Sequence, residues 1–355
     1  MKVLFLAHDT REGQSTKHRI QFPSRELSSR GYECDIIYGT RISIGDRTMP
    51  YISPSSIRYI MKNKDYDCVI MSREASPLGL LILYECKYLD IPVIFDMDDA
   101  LYKLRKIIGT PLPNPATLHL NRILKESSHV TVGSEALSDH VRSIHKECTV
   151  IPTPVNTSIF NTEVETAQKY DKPVVGWMGS GPDHINNLEL LVQPLLRLAQ
   201  EKDFVFRIIS ALDDQIREIF SPLEEYITVD YGFNDWVSME DIASEMQTFD
   251  VAVLPLNLDN EFMIGKNSTK VVEHMAMKIP VVASNEVSYA NTITHGHTGY
   301  LADGSDDWYE YINRLIESSE LRSSIGENGF ELACEEYTVS SYADSLEEIV
   351  ERLSQ

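Results

Sequence analysis

Gly265-Lys266-Asn267-Ser268-Thr269-Lys270-Val271-Val272-Glu273-His274-Met275-Ala276-Met277, followed by Ile279-Pro280-Val281-Val282-Ala283-Ser284, reads as loop, helix and buried strand. Asn267, Ser268 and Thr269 are all good N-cap residues. Val271, Val272, Met275 and Ala276 recur at helical spacing and form an apolar face, leaving Lys270, Glu273, His274 and Met277 on the other. The first turn therefore offers backbone N–H groups, the positive end of the helix dipole and two lysines, Lys266 and Lys270. That combination suits a phosphate or pyrophosphate. Glu273, one turn in, is placed to accept hydrogen bonds from ribose hydroxyls. The plainer alternative is a surface helix carrying a Lys270–Glu273 ion pair, worth about 0.3 kcal/mol.

The preceding residues repeat the strand-and-loop theme. Asp250 to Leu256 is an apolar strand that ends just before this stretch. Further back, Pro173-Val174-Val175-Gly176-Trp177-Met178-Gly179-Ser180-Gly181-Pro182-Asp183-His184 is a strand running into a glycine loop. Asn186-Asn187 then caps a long helix with Leu188, Leu191, Leu195 and Leu198 along one face. The loop is a second place where backbone can approach a phosphate. Taken alone, a Gly-Ser-Gly turn is weak.

The first half has the same grammar. Val3 to Ala7 is a strand, Asp9 to Arg19 a polar loop holding Gly13, and a helix follows to Leu27, ending near Gly31. Cys34 to Tyr38 closes a βαβ unit, and ligands of such sheets bind at the carboxyl ends of strands. Gly13 and Arg19 are thus candidate binding residues, or a plain connection. The strand Ile91 to Phe95 delivers Asp96, Asp98 and Asp99 together. Like charges so close are costly unless exposed or paired with a cation. Four readings compete: the nucleophile motif of a haloacid dehalogenase-like, magnesium-dependent phosphatase with Asp96 attacking and Asp98 as acid/base; a metal-binding DxD pair; carboxylates that hold an acceptor; or a solvated strand end with a helix cap. The first lacks its usual Thr, since Ala100 stands there. His295-Gly296-His297 has no third ligand at useful spacing, so no metal is expected.

Composition narrows the classes. The chain has 355 residues, which favours two domains, with 43% hydrophobic and 24% charged residues. The formal net charge is −22, which opposes nucleic-acid binding without a basic patch; the densest is Lys103 to Lys106. Five scattered cysteines with no CxxC pair argue for reduced thiols in a cytoplasmic protein. The apolar start is too short for a signal peptide, and the uncharged run Pro77 to Tyr84 too short for a membrane span. Prolines 152 and 154 and the polar tract to Lys172 read as an interdomain link. Tyr342, Leu346, Ile349, Val350 and Leu353 make the last segment an amphipathic helix that must dock.

Together these pieces resemble the GT-B fold glycosyltransferases, specifically the retaining family 4, also called group 1. The likeness rests on Val174 to Ser180, Asp250 to Leu256, Gly265-Lys266 through Ala276 into Pro280 to Ser284, Gly296 to Leu301, Ile325-Gly326-Glu327-Asn328-Gly329, and Ile151 to Asn156. It implies an α/β protein of two Rossmann-like domains facing across a cleft: residues 1–160 for the acceptor, residues 161–335 for the nucleotide-sugar, and a helix over 336–355 crossing back to the first. By the resemblance, Glu273 matches the second glutamate of the family's E-x7-E motif and holds the ribose. Lys266, Asn267, Ser268, Lys270 and the helix start face the pyrophosphate, and Gly179 and Ser180 line the glycine loop. The first glutamate of the motif is Gly265 here; Glu261 is a candidate substitute. The family's usual Arg and Lys after the first donor-domain strand are replaced by Trp177, Ser180 and Asp183, which raises the importance of the two lysines.

The expected activity is transfer of a sugar from a UDP- or GDP-linked donor to a glycan or glycolipid hydroxyl, with retention, in polysaccharide or envelope glycan synthesis. Lys266, Asp96 and Asp98 are the candidate catalytic residues; Gly13, Arg19, Asp96, Asp98 and Asp99 the acceptor-binding ones. No metal or cofactor is expected, because backbone N–H groups and a lysine can stabilise the diphosphate leaving group. The expected location is cytoplasmic, with membrane contact at most peripheral. The rival to turnover is a degenerate GT-B-like binding protein.

Overall fold

The computed structural model describes residues 1–354 except 40, 45–46, 51–57, 61, 63–64, 104–114, 167–168, 211–213, 233–237 and 258–266. Glu261, Gly265, Lys266 and most of the basic run 103–106 thus lie outside the described residues. Internal contacts divide the chain into two compact units, one holding Met1–Pro154, Ile264–Asn267 and Val339–Gln355, the other Val155–Met263 and Ser268–Thr338.

The first unit is built on a six-stranded sheet. Its strands are β1 (Lys2–Ala7), β2 (Glu33–Ile37), β5 (Cys68–Ser72), β6 (Val93–Met97), β7 (His129–Val132) and β8 (Cys148–Val150). They lie in the order β2-β1-β5-β6-β7-β8, and every neighbouring pair is parallel. A separate antiparallel hairpin joins β3 (Arg41–Ile44) and β4 (Arg47–Pro50). Both faces of the main sheet are covered, so its strands are apolar on both sides. Leu4 and Leu6 point into one core, with Val69, Met71, Phe95 and the helix residues Ile82, Leu120 and Ile123. Val3 and Phe5 point into the other. There they meet Ile20 and Leu27, and also Tyr342, Leu346, Ile349 and Val350 of the final helix Val339–Leu353. The amphipathic tail therefore docks on the first sheet.

The segment after β1 is more helical than its composition suggests. Helix Gln14–Thr16 passes through a π-helical stretch, Lys17–Gln21, into helix Phe22–Ser29. The wider π turn turns His18, Arg19, Ile20 and Gln21 all inward. Arg19 is thus an interior helical residue, where the sequence suggested a loop.

The second unit repeats the plan with β9 (Val174–Gly179), β10 (Val205–Ser210), β11 (Thr228–Gly232), β12 (Val251–Leu254), β13 (Val281–Ser284) and β14 (Tyr300–Ala302). Their order is β11-β10-β9-β12-β13-β14, again parallel throughout. Each sheet is α/β and doubly wound, the Rossmann-like arrangement. Among the described residues no helix is long and apolar enough to cross a membrane.

Candidate functional site

In the second unit the first strand, β9, ends at Gly179 and turns through Ser180 into a 3-10 turn, Gly181–His184, and the helix Ile185–Ala199. The turn is pinned: Gly181 N–H donates to Ser210 Oγ at the end of β10, 2.8 Å away. Asn187 Nδ2 donates to His184 Nδ1 at 2.7 Å, while Asn187 Oδ1 accepts from Asn257 N–H at 2.7 Å. His184 also stands edge-on to the Trp177 indole, 5.8 Å between centroids. These contacts hold the loop in one shape before any ligand arrives.

Lys270 reaches this loop from the other side. Its Nζ lies 5.5 Å from the centroid of Trp177. A Cβ on residue 179 would fall 2.6 Å from that Nζ and 2.7 Å from Trp177 Cζ2. Only glycine leaves room there, so Gly179 and Lys270 form one feature: an ammonium laid against bare backbone.

Lys270 belongs to the helix Thr269–Ala276. Ser268 occupies its N-cap position without making a cap hydrogen bond. The hydroxyl instead donates to Ser288 O at 2.9 Å and accepts from Thr292 Oγ1 at 2.8 Å. Ser268 therefore ties the helix start to its neighbour rather than capping the first turn itself. A helix start places N–H groups and the positive end of the dipole where an anion can approach.

The opposite face of this helix is not exposed as its pattern suggests. Glu273, His274 and Met277 are buried along with Val271, Val272, Met275 and Ala276. A second helix, Ser319–Glu336, packs close to this one through glycines: a Cβ on Gly326 would meet Lys278 O at 2.2 Å, and one on Gly329 would meet Met275 Cγ at 3.0 Å. The surface-helix alternative falls with this burial.

At the strand ends of the first unit the register aligns Ala7, Ser72, Asp96 and Thr131 in one row. Asp96 and Arg19 are both fully buried. Arg19 Nε donates to Asp96 Oδ2 at 2.9 Å and Nη2 to Oδ1 at 2.5 Å. Thr131 Oγ1 donates to Oδ1 at 2.7 Å and Ser72 Oγ to Oδ2 at 3.4 Å. Arg19 Nη1 donates to Ile151 O and Thr153 Oγ1, both 3.0 Å away. Burial opposes the charge on Arg19, but Asp96, Tyr342 and Asp98 outweigh it and raise its pKa. Asp96 thus faces Arg19 rather than open space, and both its oxygens carry donors; a phosphoryl-attacking carboxylate needs a bare one.

Asp98 and Asp99 gather instead around Arg73. Arg73 Nη2 lies 2.7 Å from Asp99 Oδ2, Nε 3.3 Å from Asp98 Oδ1 and Nη1 3.6 Å from Asp9 Oδ2. Asp98 is buried, and neither oxygen receives a hydrogen bond of good geometry. Burial lowers and the surrounding carboxylates raise the Arg73 pKa, with a net rise. Gly13 lies beside Asp9: a Cβ there would come 3.0 Å from Asp9 Cβ. Arg73 was not singled out by sequence, and neither were His8 and Glu74 next to it; no local motif marks them. His295 and His297 are engaged locally, with Leu301 N–H and Asn328 respectively.

Comparison with known proteins matches residues 172–318, the core of the second unit, to the family model described as glycosyl transferases group 1. This chain carries a group 1 glycosyltransferase domain. A curated relative, an uncharacterised 41.2 kDa protein in the cps region of Klebsiella pneumoniae, is 23% identical over 151 residues, 42% of this chain. The match spans 37% of that relative's own length. Two solved structures agree along almost the whole chain. A glycosyltransferase from Rickettsia africae is 14% identical with a TM-score of 0.73, over 99% of this chain and 98% of that one. Anabaena HepE, solved in complex with UDP, is 14% identical with a TM-score of 0.70, over 99% and 100%. The glycosyltransferase domain thus sits in a GT-B fold, the two Rossmann-like α/β units expected from the sequence.

Proposed function

We propose that this chain is a retaining glycosyltransferase that moves a sugar from a nucleoside-diphosphate sugar to a hydroxyl of a glycan or glycolipid. One observation carries the reading: the Lys270 ammonium lies against the bare backbone of Gly179, in the first turn of the helix Thr269–Ala276. A diphosphate leaving group develops negative charge as the glycosidic bond breaks. A fixed cation and oriented N–H groups stabilise that charge without reorganising.

In this reading Gly179, Ser180 and the helix start with Asn267 and Ser268 hold the diphosphate, and Lys270 neutralises it. Glu273, buried one turn further on, holds the ribose. Glu261, Gly265 and Lys266 belong to the same donor set, with Lys266 a second cation. Asp98, Asp99 and the Gly13 turn receive acceptor hydroxyls. Asp96 and Arg19 act beneath them as the ion pair that fixes the strand ends. The donor is taken to be UDP-linked, in keeping with the UDP in the Anabaena structure. The cps-region relative supports a place in polysaccharide synthesis.

The test is thermal stabilisation of the full chain by UDP, GDP, ADP and CMP, each with and without magnesium. The expected result is a UDP shift that does not need metal and is abolished in Lys270→Ala. Absence of a shift with any nucleotide would overturn the donor site. A UDP shift without consumption of any UDP-sugar would overturn the transferase and leave a binding protein.

A further inference from the structure

His8 and Glu74 form a pair that neither the ion-pair core nor the donor site uses. Both stand just beyond strand ends: Ala7 and Ser72 are register partners at the ends of β1 and β5, and His8 and Arg73 are the next residues. His8 Nδ1 lies 3.3 Å from Glu74 Oε2. The Glu74 side chain is fully buried, while His8 keeps about a quarter of its side chain exposed.

Much of the local chain serves to put Glu74 there. Arg73 adopts a left-handed backbone, φ +58°, which residues other than glycine rarely take. Ser76 Oγ donates to Glu74 Oε1 while also accepting from Leu78 N–H, as the cap of helix Pro77–Tyr88. A Cβ on residue 79 would land 2.1 Å from Glu74 O and 3.2 Å from Glu74 Cγ, so only Gly79 admits this path. A strained backbone, a close glycine and a helix cap thus converge on one buried carboxylate.

The carboxylate in turn sets the imidazole. Its oxygen accepts, so the hydrogen bond requires a proton on His8 Nδ1. In the tautomer with that proton alone, Nε2 is the ring's acceptor. Among the described residues, carboxylates gather beside it: Glu74 pairs with His8, and Asp9, Asp98 and Asp99 surround Arg73. Carboxylates accept hydrogen bonds from hydroxyls, so the surroundings suit a hydroxyl-bearing molecule.

We propose that His8 is a contact residue for the acceptor, its Nε2 receiving a sugar hydroxyl's hydrogen bond, and that Glu74 is its positioning residue. The proposal rests on the transferase reading above and adds to it a residue pair that selects and orients a glycoside. No proton transfer to His8 is required; the hydroxyl is aligned with its oxygen lone pairs turned away from the ring.

The test uses the full chain labelled with 15N-histidine at neutral pH. His8→Gln assigns the His8 signals in two-bond proton–nitrogen spectra. UDP binding is followed separately by thermal shift. Methyl glucoside, methyl galactoside, methyl mannoside and octyl glucoside are titrated with and without saturating UDP. The expected result is a single fixed tautomer with Nδ1 protonated, and a shift of the His8 Nε2 signal with at least one glycoside. In Glu74→Gln the tautomer preference should relax and the apparent glycoside affinity fall about tenfold, with UDP binding unchanged. An Nε2-protonated or freely exchanging ring in the wild type would overturn the proposal. So would a wild-type Nε2 signal that none of the glycosides moves while UDP binds. Failure of UDP to bind strikes the donor reading, and the glycoside response still decides the role of His8.

Discussion

Arg19 and Asp96 meet inside the first unit through two parallel hydrogen bonds, with neither side chain reaching water. The pair also gathers Thr131, Ser72, Ile151 O and Thr153, so it joins the ends of β5, β6 and β7 to the chain beyond β8. Tyr342 of the final helix stacks over the guanidinium, 5.2 Å from Cζ to the ring centroid. Removing one partner strands a buried charge, which costs about 3–5 kcal/mol. Arg19→Met should therefore destabilise the chain by that order in urea denaturation. Arg19→Met with Asp96→Leu should recover most of the loss, because no charge is left unpaired. A single variant within about 1 kcal/mol of wild type would show that the pair is not the clamp its geometry suggests.

Gly179 and Lys270 make a second coupled pair. An alanine at 179 must push either the lysine terminus or the rigid Trp177 ring. The lysine is the softer of the two, so its ammonium should move off the strand end. UDP affinity of Gly179→Ala should fall by at least about tenfold, or ~1.4 kcal/mol. Crowding against Trp177 adds a stability loss of about 1–3 kcal/mol. In a Lys270→Ala background the same glycine change should cost little further affinity. Full additivity of the two changes in a binding cycle would separate the residues and weaken the donor-site geometry.

Periodicity made the two sheets legible, because buried parallel strands are short apolar runs that end in polar turns. The glycine loop, the helix start and the docking tail were legible for the same reason. Partnership across the fold was not. Arg19 and Asp96 both stand out in the sequence as ligand-facing residues, yet they are 77 positions apart and nothing local says that they face each other. The pattern around Glu273, His274 and Met277 likewise suggests an outward face, yet all three are buried and His274 stacks on Phe249. His8 and Glu74 are ordinary residues in isolation; register alone makes them a pair. Pattern reports which face of an element is apolar, while the identity of what covers it is a tertiary fact.

The final helix is a structural member of the first unit. Tyr342, Ala343, Leu346, Ile349 and Val350 are buried against Val3, Phe5, Ile20 and Leu27. Arg30 reinforces the docking with ion pairs to Asp344, 2.6 Å, and Glu347, 2.9 Å. Leu346→Ala should cost about 2–5 kcal/mol, since the sheet and neighbouring helix cannot collapse into the gap. Arg30→Ala should cost at most about 1 kcal/mol, because its partners are partly solvated. Urea denaturation of the two variants tests the ranking. A larger loss for Arg30→Ala than for Leu346→Ala would mean that charge rather than apolar packing holds the tail.

His274 gives the second unit a pH dependence of definite sign. The ring is fully buried, stacked on Phe249 at 6.0 Å, and its Nδ1 donates to Lys270 O at 2.6 Å. Its Nε2 has no partner among the described residues. Burial pushes the pKa down to about 4, against the weaker upward pull of that hydrogen bond and of Glu273. An unfolded histidine titrates near ~6.5, so between these values the unfolded chain binds more protons. The stability contribution is therefore intact above ~6.5 and is lost as pH falls toward 4. Between pH 6.5 and 5.0 the loss from this one group should be about 1.5 kcal/mol. His274→Gln cannot take up that proton, so its stability should fall less over the same interval, by about that difference. Thermal or urea denaturation of both proteins at the two pH values measures it. Equal losses in wild type and variant would show that His274 is not held neutral by its burial.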